Sequence, residues 1–362
     1  MCRSLGVTAC LAVFFAGSGQ AQSAAALRFN GDFRLRYEYT TRGNGAPNID
    51  KEVVRLRAGI TYPLRDYLTV RARIATGSPG DPNSTDITLG QFVDDLAFSV
   101  DMASVELNRP RWGLMGGKFI NPLLSTELVW DGDVNPQGLA GRVTAGKMGK
   151  VTGTLTGLYF VVDQQANDTG SDMAGGQLAL KAKAGARWQV TAAASYYDYR
   201  IRSLALADAG DIRGNRLAPG GARYLSDFDL LNALVTVDYT GFGERFPLRV
   251  VGDYVHNAGK RAKDLNTGWA ADAYVGRVTR PGEARWRYGY AVAETDAILA
   301  AFAHDNTTLG TNSETHTLAV DAVPMAGMLL TGTWYVYRPH QVAAGVRRQY
   351  QTRLRLNAMV TF

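Results

Sequence analysis

The sequence predicts an all-β fold, a transmembrane antiparallel β-barrel of about 16 strands with short turns at one end and long loops at the other. Three observations predict it. Apolar and polar residues alternate with a period of two at both ends of the chain. The connections between alternating segments switch between short and long. Beyond the N-terminus, no stretch approaches the roughly 18 consecutive apolar residues that a membrane helix needs. Composition agrees: of 362 residues only 20% are charged, against about 25% in ordinary globular domains. The 17 Tyr, 13 Phe and 6 Trp favour strands over helix bundles.

The chain opens MCRSLGVTACLAVFFAGSGQAQ. One cation, Arg3, precedes an apolar run over 5–16, and Gly19-Gln20-Ala21 supplies small residues for cleavage. This reads as a secretory signal peptide over 1–21, too short to span a bilayer. Val7-Thr8-Ala9-Cys10 imitates a lipoprotein box loosely, because almost nothing apolar precedes it. Cys2 and Cys10 are the only cysteines. Residues 22–362 therefore hold no disulfide and no cysteine-ligated metal. Loss of Arg3 lowers the formal charge of +6 by one, too small and dispersed a balance for nucleic acid.

The first strand is the clearest. Over 29–39, Phe29, Phe33, Leu35, Tyr37 and Tyr39 take one face, and Asn30, Asp32, Arg34, Arg36 and Glu38 take the other. Segment 54–62 sets Val54, Leu56, Ala58, Ile60 and Tyr62 against Arg55, Arg57 and Thr61. Segment 68–75 sets Leu68, Val70, Ala72 and Ile74 against Thr69, Arg71 and Arg73. At the C-terminus Leu354, Leu356, Ala358, Val360 and Phe362 oppose Arg353, Arg355, Asn357 and Thr361. Between these lie twelve further candidates: 97–107, 112–119, 138–146, 151–162, 174–184, 187–200, 229–240, 246–257, 267–277, 285–294, 314–322 and 328–338. The phase slips near Ala103–Ser104, which predicts a bulge. Segments 112–119 and 138–146 are glycine-rich and carry the weakest signal.

Short connections at 63–66, 108–111, 241–245 and 323–327 stand against long ones at 77–95, 120–137, 201–228 and 295–313. Tight periplasmic turns and long outer loops are the asymmetry of an outer-membrane barrel. Sixteen strands of about 11 residues use roughly half of residues 22–362, a loop content that 8 or 22 strands would not give. A periplasmic sheet with one wet face would show the same alternation. It would also have edges to protect, which closure removes.

Residues 72–140 contain ARIATGSPGDPNSTDITLG, GLMGGKFINPL and LVWDGDVNPQGLA. With GDFRLRYEY at 31–39 and VRLRAGITY at 54–62, this stretch resembles the putative porin family of Gram-negative bacteria. Leu123 stands where that family usually has an aromatic after Asn-Pro. The resemblance implies a channel in the outer membrane, and a C-terminal aromatic such as Phe362 resembles the signal read by the barrel-assembly machinery. The expected function is passive diffusion of small hydrophilic solutes, with weak anion preference. The alternative is a substrate-specific channel for an organic anion or acidic saccharide.

The candidate pore-lining residues are Arg34, Arg36, Arg55, Arg57, Arg71, Arg73, Arg353 and Arg355. Closure would place them on four adjacent strands, on the face opposite the lipid-compatible residues. At mid-depth in lipid each would cost about 2–4 kcal/mol, so the lumen is the physical choice. A guanidinium belt concentrates anions by its field. Asp32, Glu38 and Asp101 are the expected partial neutralisers.

The loop near 120–137 carries Leu123, Leu124, Leu128, Val129 and Trp130 beside Glu127, Asp131 and Asp133. Folded inward, it would bury its apolar groups against the wall and turn its carboxylates toward the arginines. Glu127, Trp130, Asp131 and Asp133 are therefore the candidate constriction residues. A cap over the rim is the plainer reading. Asp131-Gly132-Asp133-Val134-Asn135 has alternating oxygen ligands, yet lacks the glycine and bidentate Glu of a calcium loop, so neither metal nor cofactor is expected.

His256, His304, His316 and His340 are the only histidines, each at a loop or outer strand end, and no Gly-x-Ser-x-Gly or His-Glu-x-x-His occurs. No catalysis is expected. Trp112, Trp188, Trp286, Tyr62 and Phe362 suit one interfacial girdle, and Tyr37, Tyr39, Tyr196 and Trp334 the other. Arg200, Arg202, Arg213, Arg216 and Arg223 could meet lipopolysaccharide phosphates, or form a solvated loop face. Expected partners are outer-membrane lipid and lipopolysaccharide, and a homotrimer suits a barrel of this size.

Overall fold

A computed structural model describes residues 26–43, 45–81, 83–90, 95–146, 149–164, 170–207 and 209–362. The expected leader over 1–21 lies outside the described residues. Strands β1 (Arg28–Thr41), β2 (Ile49–Arg65) and β3 (Leu68–Thr76) open the chain, followed by a two-residue β4 (Ile87–Thr88). Then come β5 (Phe98–Asn108), β6 (Trp112–Lys118), β7 (Gln137–Thr144), β8 (Val151–Asp163), β9 (Ser171–Ala184) and β10 (Trp188–Arg200). A single helical turn α1 (Ala209–Ile212) precedes β11 (Phe228–Tyr239), β12 (Leu248–Asn257), β13 (Thr267–Gly276) and β14 (Ala284–Ala293). A 3₁₀ turn (Ala300–Phe302), β15 (Ser313–Ala322), β16 (Met328–Pro339) and β17 (Gln351–Thr361) complete the chain.

Leaving out β4, sixteen long strands form one antiparallel barrel. Each pairs with its neighbour in chain order, β3 pairs with β5, and β17 pairs back onto β1. Every strand expected from alternation is present. Closure is sealed at the chain's end, where Phe362 donates its N–H to the Gly31 carbonyl at 3.1 Å and accepts from Gly31 N–H at 2.9 Å. With all edges paired, the wall leaves no row of backbone donors facing lipid.

The pleat sorts the side chains. Leu35, Tyr37, Ile74, Leu114, Leu139, Leu155, Leu231, Val320 and Leu356 are exposed on the outside. A soluble monomer rarely shows so large an apolar surface, whereas lipid is a matching solvent for it. The expected girdle residues Trp112, Trp188, Trp286, Tyr62, Tyr37, Tyr196 and Trp334 are exposed as well.

Short connections lie at one end (66–67, 109–111, 145–150, 185–187, 240–247, 277–283, 323–327) and the connections at the other include 77–97, 119–136, 201–227 and 294–312. The bulge sits slightly away from its expected place. The β3–β5 register jumps between Arg73↔Met102 and Ile74↔Val100, so Asp101 is the extra residue rather than Ala103 or Ser104. That bulge turns Asp101 inward, where its carboxylate meets Arg73 at 2.6 Å.

Candidate functional site

The site begins at two glycines. Gly117 is the second-last residue of β6, Gly138 is the second of β7, and they face each other across the ladder. Both hold positive φ, +109° and +148°, and a Cβ on either would lie 2.2 Å from a neighbouring strand's carbonyl oxygen, that of Ala103 or Tyr159. Only glycine tolerates that approach and that backbone. Just beyond them, Phe119 N–H bonds the Pro136 carbonyl at 3.0 Å, closing the mouth of loop 119–136.

This loop crosses the interior. On one side Gln177 of β9 exchanges bonds with the Leu124 backbone at 2.7 and 2.8 Å, and Thr126 Oγ1 donates to Asp253 of β12 at 2.5 Å. On the other side Asp133 reaches β2, at 3.0 Å from Arg57 and 3.4 Å from Arg55. Between these ties Leu123, Leu128, Val129, Trp130 and Val134 are buried. The Trp130 ring stacks on Phe302 at 5.9 Å and meets Tyr197 edge-on at 6.0 Å. Trp130 therefore anchors the loop in an aromatic cluster, and its neighbours Glu127, Asp131 and Asp133 border a small cavity on the arginine side.

A second loop, 294–312, packs beside the first. Asp131 N–H bonds the Phe302 carbonyl at 2.8 Å, and Asn306 Nδ2 donates to Glu127 at 2.9 Å. The fully buried Asp296 fixes this loop from behind, accepting from Arg216 at 2.7 Å and Ser226 at 2.6 Å. At its far end Arg355 donates to Asn306 Oδ1 at 2.8 Å and to the Asp305 carbonyl at 3.2 Å.

Opposite the aromatic cluster stands the arginine wall. The β1–β2 register sets Asp32 against Arg57 and Arg34 against Arg55, and the β1–β17 register sets Glu38 against Arg355. Like charges directly opposite are destabilising, and the Arg34–Arg55 pairing is relieved by carboxylates on every side. Asp32 serves Arg55 and Arg57 at 2.9 and 2.7 Å. Glu38 serves Arg355 at 2.6 Å and Arg353 at 3.4 Å. Asp86 of the 77–97 connection bridges Arg34 and Arg36. Lower down, Arg71 meets Glu106 at 2.9 Å.

The three acids expected from sequence all pair with arginines. Asp86, Glu106 and Asp133 do so too, and Asp305 lies 3.7 Å from Arg355. The belt is thus far closer to neutrality among the described residues than the sequence suggested. The added acids come mostly from loops, which strand alternation does not place.

A cavity of about 170 Å³ opens where wall and loops meet, bounded by Arg34, Arg36, Arg55 and Arg355 and by acids that include Glu127 and Asp133. Of the sequence-named residues, Arg57 joins it through Asp133, Arg353 binds the backbone of 305–306, and Arg71 and Arg73 form separate pairs. Burial, and then the neighbouring Glu127, push the Asp131 carboxyl up to about 9. Burial also raises Glu127, against the pull of Arg287 and the Asn306 amide. Beside them burial, then Arg213, push the His304 imidazole down to about 4. Asp86 behaves oppositely: burial favours its proton, but Arg36 and Arg34 outweigh that and hold it below the usual carboxylate range.

Sequence reasoning missed Asp86, Asp305, Asn306 and the whole inward packing of 294–312. A signal for the last was present. Ala297-Ile298-Leu299-Ala300-Ala301-Phe302-Ala303 is an apolar run in a long loop, the same oddity that singled out 120–137. The loop cations are also less free than a solvated face implies. Arg200 pairs with Asp172 at 2.6 Å, Arg216 with Asp296, and Arg213 donates inward to the His304 carbonyl at 2.7 Å.

Residues 43–205 match the family described as putative porin. No curated protein matches the chain in sequence. Among solved structures, the barrel is similar to Pseudomonas putida OprB at high pH (TM-score 0.61, 9% identity, 93% of this chain and 94% of that one). It is also similar to the anion-selective porin from Comamonas acidovorans (0.54, 11%, 93% and 99%) and to the outer membrane channel DcaP of Acinetobacter baumannii (0.53, 12%, 95% and 99%). At such identities the likeness is one of fold. Over residues 43–205 the sequence matches the family described as putative porin, and the barrel as a whole has the fold of Gram-negative outer-membrane porins.

Proposed function

We infer that the protein is a passive diffusion channel for small hydrophilic solutes with a weak preference for anions. One observation carries this reading: the cavity between the arginine wall and the two inward loops. Arg34, Arg36, Arg55 and Arg355 border it. Among the described residues the eight wall arginines meet seven carboxylates, Asp32, Glu38, Asp86, Asp101, Glu106, Asp133 and Asp305, while burial favours the protonated forms of Glu127 and Asp131. A small positive excess in a confined aqueous passage raises local anion concentration without excluding cations. The arrangement offers charge and width for selecting solutes, which supports transport. Export by the leader at 1–21, recognition of Phe362 during assembly and contact with lipopolysaccharide belong to the same proposal. So does a homotrimer; a trimer form is named for one similar barrel, OmpT of Vibrio cholerae.

The test is single-channel recording of the folded protein in a planar bilayer under a potassium chloride gradient. Stable steps with a reversal potential toward chloride are expected. A folded barrel without steps overturns the channel, and a potassium-favouring potential overturns the anion preference.

One feature favours the substrate-specific reading. A second cavity of about 270 Å³ lies between the inward loops and 201–207, with Phe160, Ile201, Leu204, Tyr224 and Phe302 as apolar wall and Lys118, Asp163 and Asp211 as its charged lining. Such a vestibule suits a solute with an apolar body and a charged group. Saturable current block by an aromatic carboxylate is the result that would select this alternative.

A further inference from the structure

Asp86 is one of three loop carboxylates, with Asp133 and Asp305, that reach the arginine wall. Asp86 arrives on the 77–97 connection, and its two oxygens are divided between two guanidiniums. Oδ1 accepts from Arg34 Nη2, and Oδ2 accepts from Arg36 Nη1 at 2.6 Å. A carboxylate split between two arginines occupies the position a free oxyanion takes in a two-arginine site.

The connection is fastened without this side chain. Thr76 Oγ1 donates to the Thr85 carbonyl at 2.8 Å, and Asn83 Nδ2 to the Ala303 carbonyl at 2.7 Å. Ile87 and Thr88 pair with Val54 and Val53, and Leu89 N–H bonds the Glu52 carbonyl at 2.8 Å. The Asp86 charge is therefore spare to the loop's anchoring. The arginines, in turn, have capacity left. Two cations share this one carboxylate, Arg34 Nε is buried with no acceptor among the described residues, and the 170 Å³ cavity opens beside them. That volume suits an ion of a few heavy atoms, not a saccharide.

We propose that Arg34 and Arg36 form a binding seat for a small oxyanion, and that Asp86 is a tethered competitor occupying it. The 77–97 connection then sets how strongly the channel holds passing anions. With Asp86 seated, an anion meets a pair already half neutralised and passes with little retention. With the charge removed, the same pair becomes a trap. This deepens the anion preference inferred above and rests on that channel reading for its consequence in transport, but the seat itself can be tested by binding alone.

The probe is inorganic phosphate, titrated calorimetrically into the full-length protein folded in detergent. Asp86→Asn is close to isosteric and should bind phosphate at least about tenfold tighter than the unaltered protein, the change that one charge-assisted hydrogen bond brings. Asp86→Glu keeps the charge and should bind as weakly as the unaltered protein. Adding Arg34→Gln and Arg36→Gln to Asp86→Asn should abolish the gain. Equal affinity of Asp86→Asn and the unaltered protein overturns the proposal, as does a gain that survives loss of both arginines. Heat-modifiable migration on a gel checks that each barrel is folded. In bilayers, Asp86→Asn should show block by phosphate that the unaltered channel lacks. Absence of all conductance would overturn the channel reading and leave the phosphate titration to judge the seat.

Discussion

The two sides of the barrel's interior obey the same alternation and use it differently. On the β8–β13 side the inward positions near the loop end are Phe160, Met173, Tyr197, Tyr199, Phe228, Leu230 and Val255, all buried. On the side of β17, β1, β2 and β3 they are arginines with their carboxylate partners. The first side gives loops 119–136 and 294–312 an apolar surface to dock on. The second gives them charges to face. Loop position in this barrel is thus set by the wall residues it meets, and the passage is pushed toward the arginines because the opposite half is filled.

The largest effect should come from breaking the filled half. Trp130→Ala removes a ring that packs against Phe160, Tyr197, Tyr199 and Phe302. Emptying a buried aromatic site costs about 3–5 kcal/mol. The loop is expected to release, single-channel conductance to rise, and the urea midpoint to fall. Unchanged conductance in a folded Trp130→Ala barrel would show that the loop does not narrow the path.

Next in size is the charged half. Replacing Arg34, Arg36, Arg55 and Arg57 together by Gln should move the reversal potential toward potassium. The change should also leave Asp32, Asp86 and Asp133 without partners. Removing one side of a buried charge pair costs about 3–5 kcal/mol, so lower stability is expected with it. A chloride-favouring potential in this variant would place selectivity elsewhere, with Lys118 and the vestibule as the next region to change.

How much of this was legible beforehand follows the same division. The strands at the two ends of the chain were legible because lipid on one side and polar groups on the other impose a period of two, and even the glycine-rich β6 and β7 kept their places; on β8–β12 the inward positions near the loop end are apolar as well, and the alternation there is weaker. The arginines were legible for the same reason. Their partners were legible only in part: Asp32 and Glu38 lie on the same strand face, and Asp133 belongs to the loop expected to turn its carboxylates toward them. Asp86 and Asp305 sit in other loops, whose path depends on what they pack against, and a single acid in a polar loop carries no periodic signal. Asp101 was assigned as an arginine neighbour, but the bulge that brings it there falls two residues from the expected slip. That difference reflects where the β3–β5 register must yield.

A smaller effect should separate the loop carboxylates from the wall. Asp131 titrates near 9 rather than in the usual carboxylate range because it is buried beside Glu127. Its raised value means the folded protein holds a proton that the unfolded chain gives up. The associated stability is full below the ordinary carboxylate range and is lost as pH rises through about 9. Over the same interval a negative charge appears beside the cavity. Chloride preference should therefore decline between pH 8 and pH 10, and Asp131→Asn should flatten that decline. An equal decline in Asp131→Asn would assign the titration to another group.

The smallest effect is expected within the arginine wall itself, and it sharpens what the wall does. Arg71 shares the inward face with Arg34 and Arg55, but it stands apart from the cavity and pairs with Glu106, with 35% of its side chain exposed. An exposed pair of this kind is worth about 0–1 kcal/mol, and its charge is screened within roughly a Debye length of 8 Å at physiological salt. Arg71→Gln should thus leave stability within error and shift the reversal potential far less than loss of a cavity arginine. A shift as large as that of Arg55→Gln would mean that the whole basic face acts as one field. A negligible shift would mean that selectivity is decided where the loops bring their carboxylates within reach of the guanidiniums, and the remaining arginines serve to pair the wall.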